Sequence, residues 1–67
     1  MKLLTEQNTA TVERKVRSAF RNWARKRTFE TFFEHGQWWV RVPNDDEDET
    51  YSVCDSSDPS GFCFERV

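Results

Sequence analysis

Few side chains in this sequence can do covalent or acid–base chemistry. There is one histidine, His35, and there are two cysteines, Cys54 and Cys63. A cysteine nucleophile needs a base within hydrogen-bond reach, and His35 is expected at a hairpin tip remote from both thiols. Glu30 and Glu34 fall on an exposed strand, too solvated for the raised pKa that a general acid needs. The sequence therefore predicts no catalytic residues and no enzyme activity. Cys54 and Cys63 flank a turn, so they can approach each other across two strands as semi-buried thiols, a redox pair or half of a metal site. A tetrahedral zinc site needs four ligands, and only His35 and acids remain. No metal and no cofactor is expected.

Two charged segments offer binding rather than catalysis. Asp45, Asp46, Glu47, Asp48 and Glu49 form an unbroken acidic run. Asn44, Asp46, Asp48 and Thr50 alternate as in the first half of a calcium loop. However, Glu49 stands where such a loop needs glycine, and Asp55 where it needs a bidentate glutamate. The run reads as a solvated loop that keeps neighbouring strand edges from pairing. The opposite charge gathers near the N-terminus. Residues 1–27 hold 8 basic and 2 acidic residues, and residues 28–67 hold 2 basic and 10 acidic, so the formal charge of −2 conceals two opposed halves. Arg14, Arg17, Arg21 and Arg25, with Lys15, Lys26 and Arg27, have the spacing to follow a phosphate backbone. The acidity of the whole chain weighs against this, because small nucleic-acid binders are usually basic.

The remaining candidate is apolar. Phe32, Trp39, Cys54 and Cys63 are expected to share one sheet face, as a soft patch rimmed by Glu30, Glu34, Arg41 and Glu65, with Arg41 joining the four as a candidate binding residue. Exposed aromatics within a polar rim mark protein-binding surfaces. The competing expectations are that the N-terminal arm, with Leu3 and Leu4, folds across that face and covers it, or that one cross-strand aromatic pair merely stiffens the hairpin.

The elements that must place these residues follow from periodicity. Val12, Val16, Ala19, Phe20 and Trp23 lie on one face of a helix predicted over 8–27. Asn8, Thr9 and Thr11 are all competent caps. Arg25, Lys26 and Arg27 are expected in its last turn, where cations meet the negative end of the dipole. Residues 1–7 are expected to fray. Residues 28–34 alternate, His35-Gly36 suits a two-residue type I′ turn, and 37–42 return. This loop sets Glu34 opposite Gln37, Phe33 opposite Trp38, Phe32 opposite Trp39, Thr31 opposite Val40, Glu30 opposite Arg41 and Phe29 opposite Val42. A slip of one residue would ruin the apolar face. A loop over 43–49, a strand over 50–55, a turn over 56–61 and a strand over 62–66 complete the pattern.

The expected fold is α+β, with one amphipathic helix on one face of a four-stranded antiparallel meander. The expected core is Val12, Val16, Ala19, Phe20, Trp23, Phe29, Phe33, Trp38, Val40, Val42, Tyr51, Val53, Phe62 and Phe64. At 67 residues with 36 % hydrophobic and 15 % aromatic content, the chain reads as one small domain over 1–67 that leans on aromatics for its core. No apolar run approaches the ~18 residues of a membrane span. Met1 to Asn8 lack the apolar stretch of a signal peptide. With two cysteines too few for a disulfide scaffold, the expected home is the reducing cytoplasm. The function expected is a small non-enzymatic protein-interaction module, a regulator or inhibitor of a larger complex, using the outer sheet face and the acidic loop. The alternative is a nucleic-acid-binding module using Arg14, Arg17, Arg21 and Arg25. A monomer or weak homodimer is expected in either case, with no membrane partner.

Overall fold

The structure is a computed structural model that describes residues 3–57, 59 and 61–67. Helix α1 spans Ala10–Ala24. Of the three candidate caps, Thr9 does the capping: its backbone is extended and its hydroxyl accepts from the Val12 amide at 3.2 Å, satisfying a donor the first turn leaves unpaired. The helix stops short of the expected Arg27. Arg25 turns into the left-handed region, with φ 57°, and its amide closes on the Arg21 carbonyl at 2.8 Å. This early stop leaves enough chain to bring Phe29 back against Phe20, with ring centroids 5.0 Å apart. Arg25, Lys26 and Arg27 therefore lie beyond the last turn, where Arg21 is the basic residue.

Four strands follow: β1 (Glu30–Glu34), β2 (Gln37–Val42), β3 (Glu49–Asp55) and β4 (Phe62–Arg66), paired antiparallel in the order β1-β2-β3-β4. The fold is α+β, a helix followed by a four-stranded antiparallel meander. His35 and Gly36 both have positive φ, 55° and 72°, as a type I′ turn requires. The β1–β2 register is the expected one from Glu30↔Arg41 to Glu34↔Gln37. The ladder begins at Glu30, so Phe29 and Val42 are both buried but do not pair in it. β3 begins one residue early and takes Glu49, the last acid of the run, into the sheet opposite Val42. Asn44 Nδ2 and the Tyr51 hydroxyl donate to the Glu49 carboxylate at 2.7 and 3.1 Å. The expected turn over 56–61 includes Asp58 and Ser60, which lie outside the described residues.

Helix and sheet enclose Val12, Val16, Ala19, Phe20, Phe29, Trp38, Val40, Val42, Val53 and Phe62, with Phe33, Tyr51 and Phe64 partly buried against them. Trp23 departs from the expected core and is 55 % exposed. Phe20 already occupies the space against Tyr51 and Phe64, at 5.3 and 5.0 Å. Trp23, nearer the helix end, leans on the outside of the same two rings.

Within the segment expected to fray, Met1 and Lys2 lie outside the described residues, and the rest is ordered. Leu4–Glu6 form a 3-10 turn, and Thr5 is only 6 % exposed. Asp55 holds the turn by accepting from the Leu4 amide at 3.2 Å, the Thr5 amide at 3.3 Å and the Thr5 hydroxyl at 2.7 Å. Leu4 packs on the core, and Trp38 Nε1 donates to the Gln7 carbonyl at 2.7 Å. Among the described residues, the arm is therefore laid on the helix side of the sheet and does not cover the outer face. Among the described residues, no helix is long and apolar enough to cross a membrane.

Candidate functional site

Strand alternation places Glu30, Phe32, Glu34, Gln37, Trp39, Arg41, Ser52, Cys54, Cys63 and Glu65 on the face away from the helix. The registers order them in rows. Glu30, Arg41 and Thr50 form one row, Phe32, Trp39, Ser52 and Glu65 the next, and Cys54 pairs with Cys63 in the third.

The middle row carries the aromatics. Phe32 and Trp39 lie directly opposite each other and each is half-buried. Their cover is local. The Arg41 guanidinium stands 5.8 Å from the Phe32 ring centroid, a cation–π distance. Arg41 Nε donates to Glu30 Oε2 at 3.1 Å, and this bond and the Glu30 charge push the guanidinium pKa above its ordinary value. Trp39 Nε1 donates to the Glu34 carbonyl at 2.9 Å. On the other side the row ends in polar groups, where the Ser52 hydroxyl donates to the Glu65 carbonyl at 3.4 Å.

The five candidate binding residues thus separate into two groups. Phe32, Trp39 and Arg41 form one cluster on the β1–β2 hairpin. Cys54 and Cys63 lie a row away, both as thiols, with Cys54 half-buried and Cys63 exposed. His35 lies nearer to Cys54 than expected, though Cys63 does not share its hollow. A meander reverses at every strand, so the β1–β2 tip and the end of β3 lie at the same end of the sheet. His35, Gln37 and Cys54 line one hollow, together with Leu3, Thr5 and Glu6. Pairing Trp39 with Ser52 implies this, and that register is the signal sequence reasoning had within reach.

The acidic residues Asp45, Asp46, Glu47 and Asp48 are exposed at the other end of the sheet, next to the Glu30–Arg41 row. Asp48 Oδ1 accepts from the Asn44 amide at 3.4 Å. Arg66 shares a hollow with Asn44, Asp45, Asp46 and Glu47, and its guanidinium lies 3.4 Å from Glu49.

On the helix, Arg14 and Arg21 are exposed along the outward ridge, and Arg25 is exposed just beyond its end. Arg17 leaves this line. It is half-buried, its guanidinium is 5.2 Å from the Phe29 ring centroid, and it faces a hollow along β1 with Glu13, Glu30 and Arg41. Among the described residues, the ion pairs join Arg41 to Glu30 and Arg66 to Glu49, and the cations of α1 belong to neither.

Sequence reasoning missed the anchor made by Asp55 and Thr5, which are 50 residues apart and share no local pattern. It also missed the exposure of Trp23, whose spacing is that of a core residue. Comparisons with protein-family models, with curated proteins and with solved structures found no match to this chain.

Proposed function

We propose that this chain is a small non-enzymatic protein-interaction module, a regulator or inhibitor of a larger complex, that binds through the outer sheet face and the acidic loop. The observation that supports it best is the Phe32–Trp39 pair, lying on a face that, among the described residues, neither the helix nor the N-terminal arm covers. Arg41 extends that cluster toward the acidic loop. The partner on this reading is a protein surface with an apolar centre and basic surroundings, because the rim and the loop carry Glu30, Glu34, Glu65 and Asp45 to Asp48. Charge of this kind acts mainly on the rate of encounter. The reading keeps the reducing cytoplasm as its setting. The test is affinity purification from the native host with wild type and Trp39→Ala side by side. Trp39→Ala is expected to stay folded by circular dichroism and to lose the captured protein. A variant that unfolds, or that captures as well as wild type, removes Trp39 from the site.

A second reading, nucleic-acid binding by the basic helix, draws on a different observation. Arg14, Arg21 and Arg25 present cations outside any described ion pair, and Arg25 does so from a left-handed backbone conformation where glycine fits at less cost. Arg17 contributes less, since it is turned toward Phe29. Substituting Arg14, Arg21 and Arg25 with Gln is expected to weaken duplex binding and flatten its dependence on salt. An absence of binding by the wild type at low salt ends this reading.

A further inference from the structure

The two cysteines face each other directly, and the class of their pairing decides what they can do. In an antiparallel ladder, opposed residues alternate between hydrogen-bonded and non-hydrogen-bonded pairs. The Val67 amide donates to the Thr50 carbonyl at 2.9 Å, and the Ser56 amide to the Gly61 carbonyl at 3.0 Å. Thr50/Val67 and Ser56/Gly61 are thus hydrogen-bonded pairs. Cys54/Cys63 lies between them in the same register and at the same parity, so it belongs to the same class. Such pairs hold their side chains farther apart, toward the upper end of the ~4.5–5.5 Å cross-strand Cβ range. A disulfide prefers Cβ atoms about 3.8 Å apart. Direct S–S bonding would have to draw the two Cβ atoms closer than this pairing holds them, whereas an atom inserted between the sulfurs would not. Two metal–sulfur bonds in line, each about 2.3 Å as in a zinc thiolate, span ~4.6 Å.

We propose that Cys54 and Cys63 form a two-coordinate site for a soft, closed-shell cation of the Cu(I) class. Thiolates select such ions over harder ones. Among the described residues, no three His, Cys, Asp or Glu side chains converge to hold a metal ion, so the site offers two ligands, suited to linear coordination and short of what zinc takes. Cys63 is exposed and Cys54 half-buried, which leaves an entry path from solvent. In the binding step two S–H bonds break, two S–Cu bonds form, two protons pass to water and copper keeps its oxidation state. Affinity therefore rises with pH. The site uses residues other than the Phe32–Trp39 cluster and stands independently of the protein-binding reading.

The test is anaerobic titration of the reduced full chain with Cu(I), in competition with the chelator bathocuproine disulfonate and with native mass spectrometry. One Cu(I) per monomer is expected. Cys54→Ser and Cys63→Ser should each lose the chelate gain of about 10²–10⁴-fold in affinity, with unchanged circular dichroism. His35→Ala should bind as wild type does. Four results each overturn the proposal: single serine variants that retain wild-type affinity, copper held only between two chains, a loss in His35→Ala equal to that of a cysteine variant, or preference for Zn(II) over Cu(I).

Discussion

Trp38 and Trp39 are neighbours in β2, and each indole donates to a backbone carbonyl. There the likeness ends. Trp38 is 2 % exposed and reaches Gln7, 31 residues away, at 2.7 Å. Trp39 is half-buried and reaches Glu34, five residues away, at 2.9 Å. The same division separates the two faces of the sheet. On the inner face, Asp55 ties down Leu4 and Thr5, and Phe20 from the helix meets Tyr51 and Phe64 from the sheet. Around the outer aromatics, the contacts of Arg41 with Glu30 and Phe32 and of Trp39 with Glu34 stay within one hairpin. One face joins parts distant in sequence, whereas the side-chain bonds of the outer aromatic cluster stay within the hairpin it sits on. That difference predicts that the outer cluster can be changed without dismantling the fold.

The largest expected effect comes from Trp38→Ala. It removes a fully buried indole, its edge contact with Phe33 at 5.6 Å and the donor to Gln7. Truncations of this size cost about 3–5 kcal/mol. A 67-residue domain has roughly 3–10 kcal/mol in all. Thermal melting should show a variant that is largely unfolded. A cooperative transition within a few degrees of wild type would break the distinction between the faces at its strongest point.

Asp55→Ala ranks next. It strips three hydrogen bonds from the arm and leaves the buried Thr5 hydroxyl without its acceptor. The expected cost is about 1–3 kcal/mol. Amide exchange should accelerate at Leu4 to Gln7 before it does so in β2.

Local pattern carried most of this fold and less of its candidate site. The helix face, the I′ turn and the β1–β2 register are visible because helical and strand periods and a two-residue loop are short-range signals. The Thr5–Asp55 anchor is not, since it rests on hydrogen bonds between polar residues at opposite ends of the chain. Trp23 misleads for a related reason. Its spacing is that of a core residue, but Phe20 fills the shared space first. Phe32, Trp39 and Arg41 were legible as a cluster because a hairpin register fixes them. The nearness of His35 to Cys54 required carrying that register one strand further.

Trp39→Ala is the direct counterpart of the first prediction. It removes a half-buried indole and its hydrogen bond to the Glu34 carbonyl, worth about 0.5–1.5 kcal/mol, so melting should fall by roughly 4–8 °C per kcal/mol lost. Loss of folding comparable to that of Trp38→Ala would show that the outer cluster is part of the core.

The smallest effect is confined to alkaline pH and to the rim of the inner face. Tyr51 lies among Phe20, Trp23 and Glu49, its ring 5.3 Å from Phe20 and its hydroxyl 3.1 Å from the Glu49 carboxylate. Burial, first, and the hydrogen bond to Glu49, second, push its pKa above the ordinary 10.0, and Arg66 opposes them. The folded state thus prefers the neutral phenol. This contribution is fully present below the unfolded tyrosine value near pH ~10 and is lost as pH climbs through the raised folded value. Urea midpoints measured at neutral pH and at about pH 10.5 should show a fall in the wild type that Tyr51→Phe reduces and Trp39→Ala leaves intact. An equal fall in wild type and Tyr51→Phe would assign the alkaline sensitivity to other groups. A fall reduced by Trp39→Ala instead would mean that the two faces are coupled, because Trp39 has no titrating group and could act on Tyr51 only through the sheet between them.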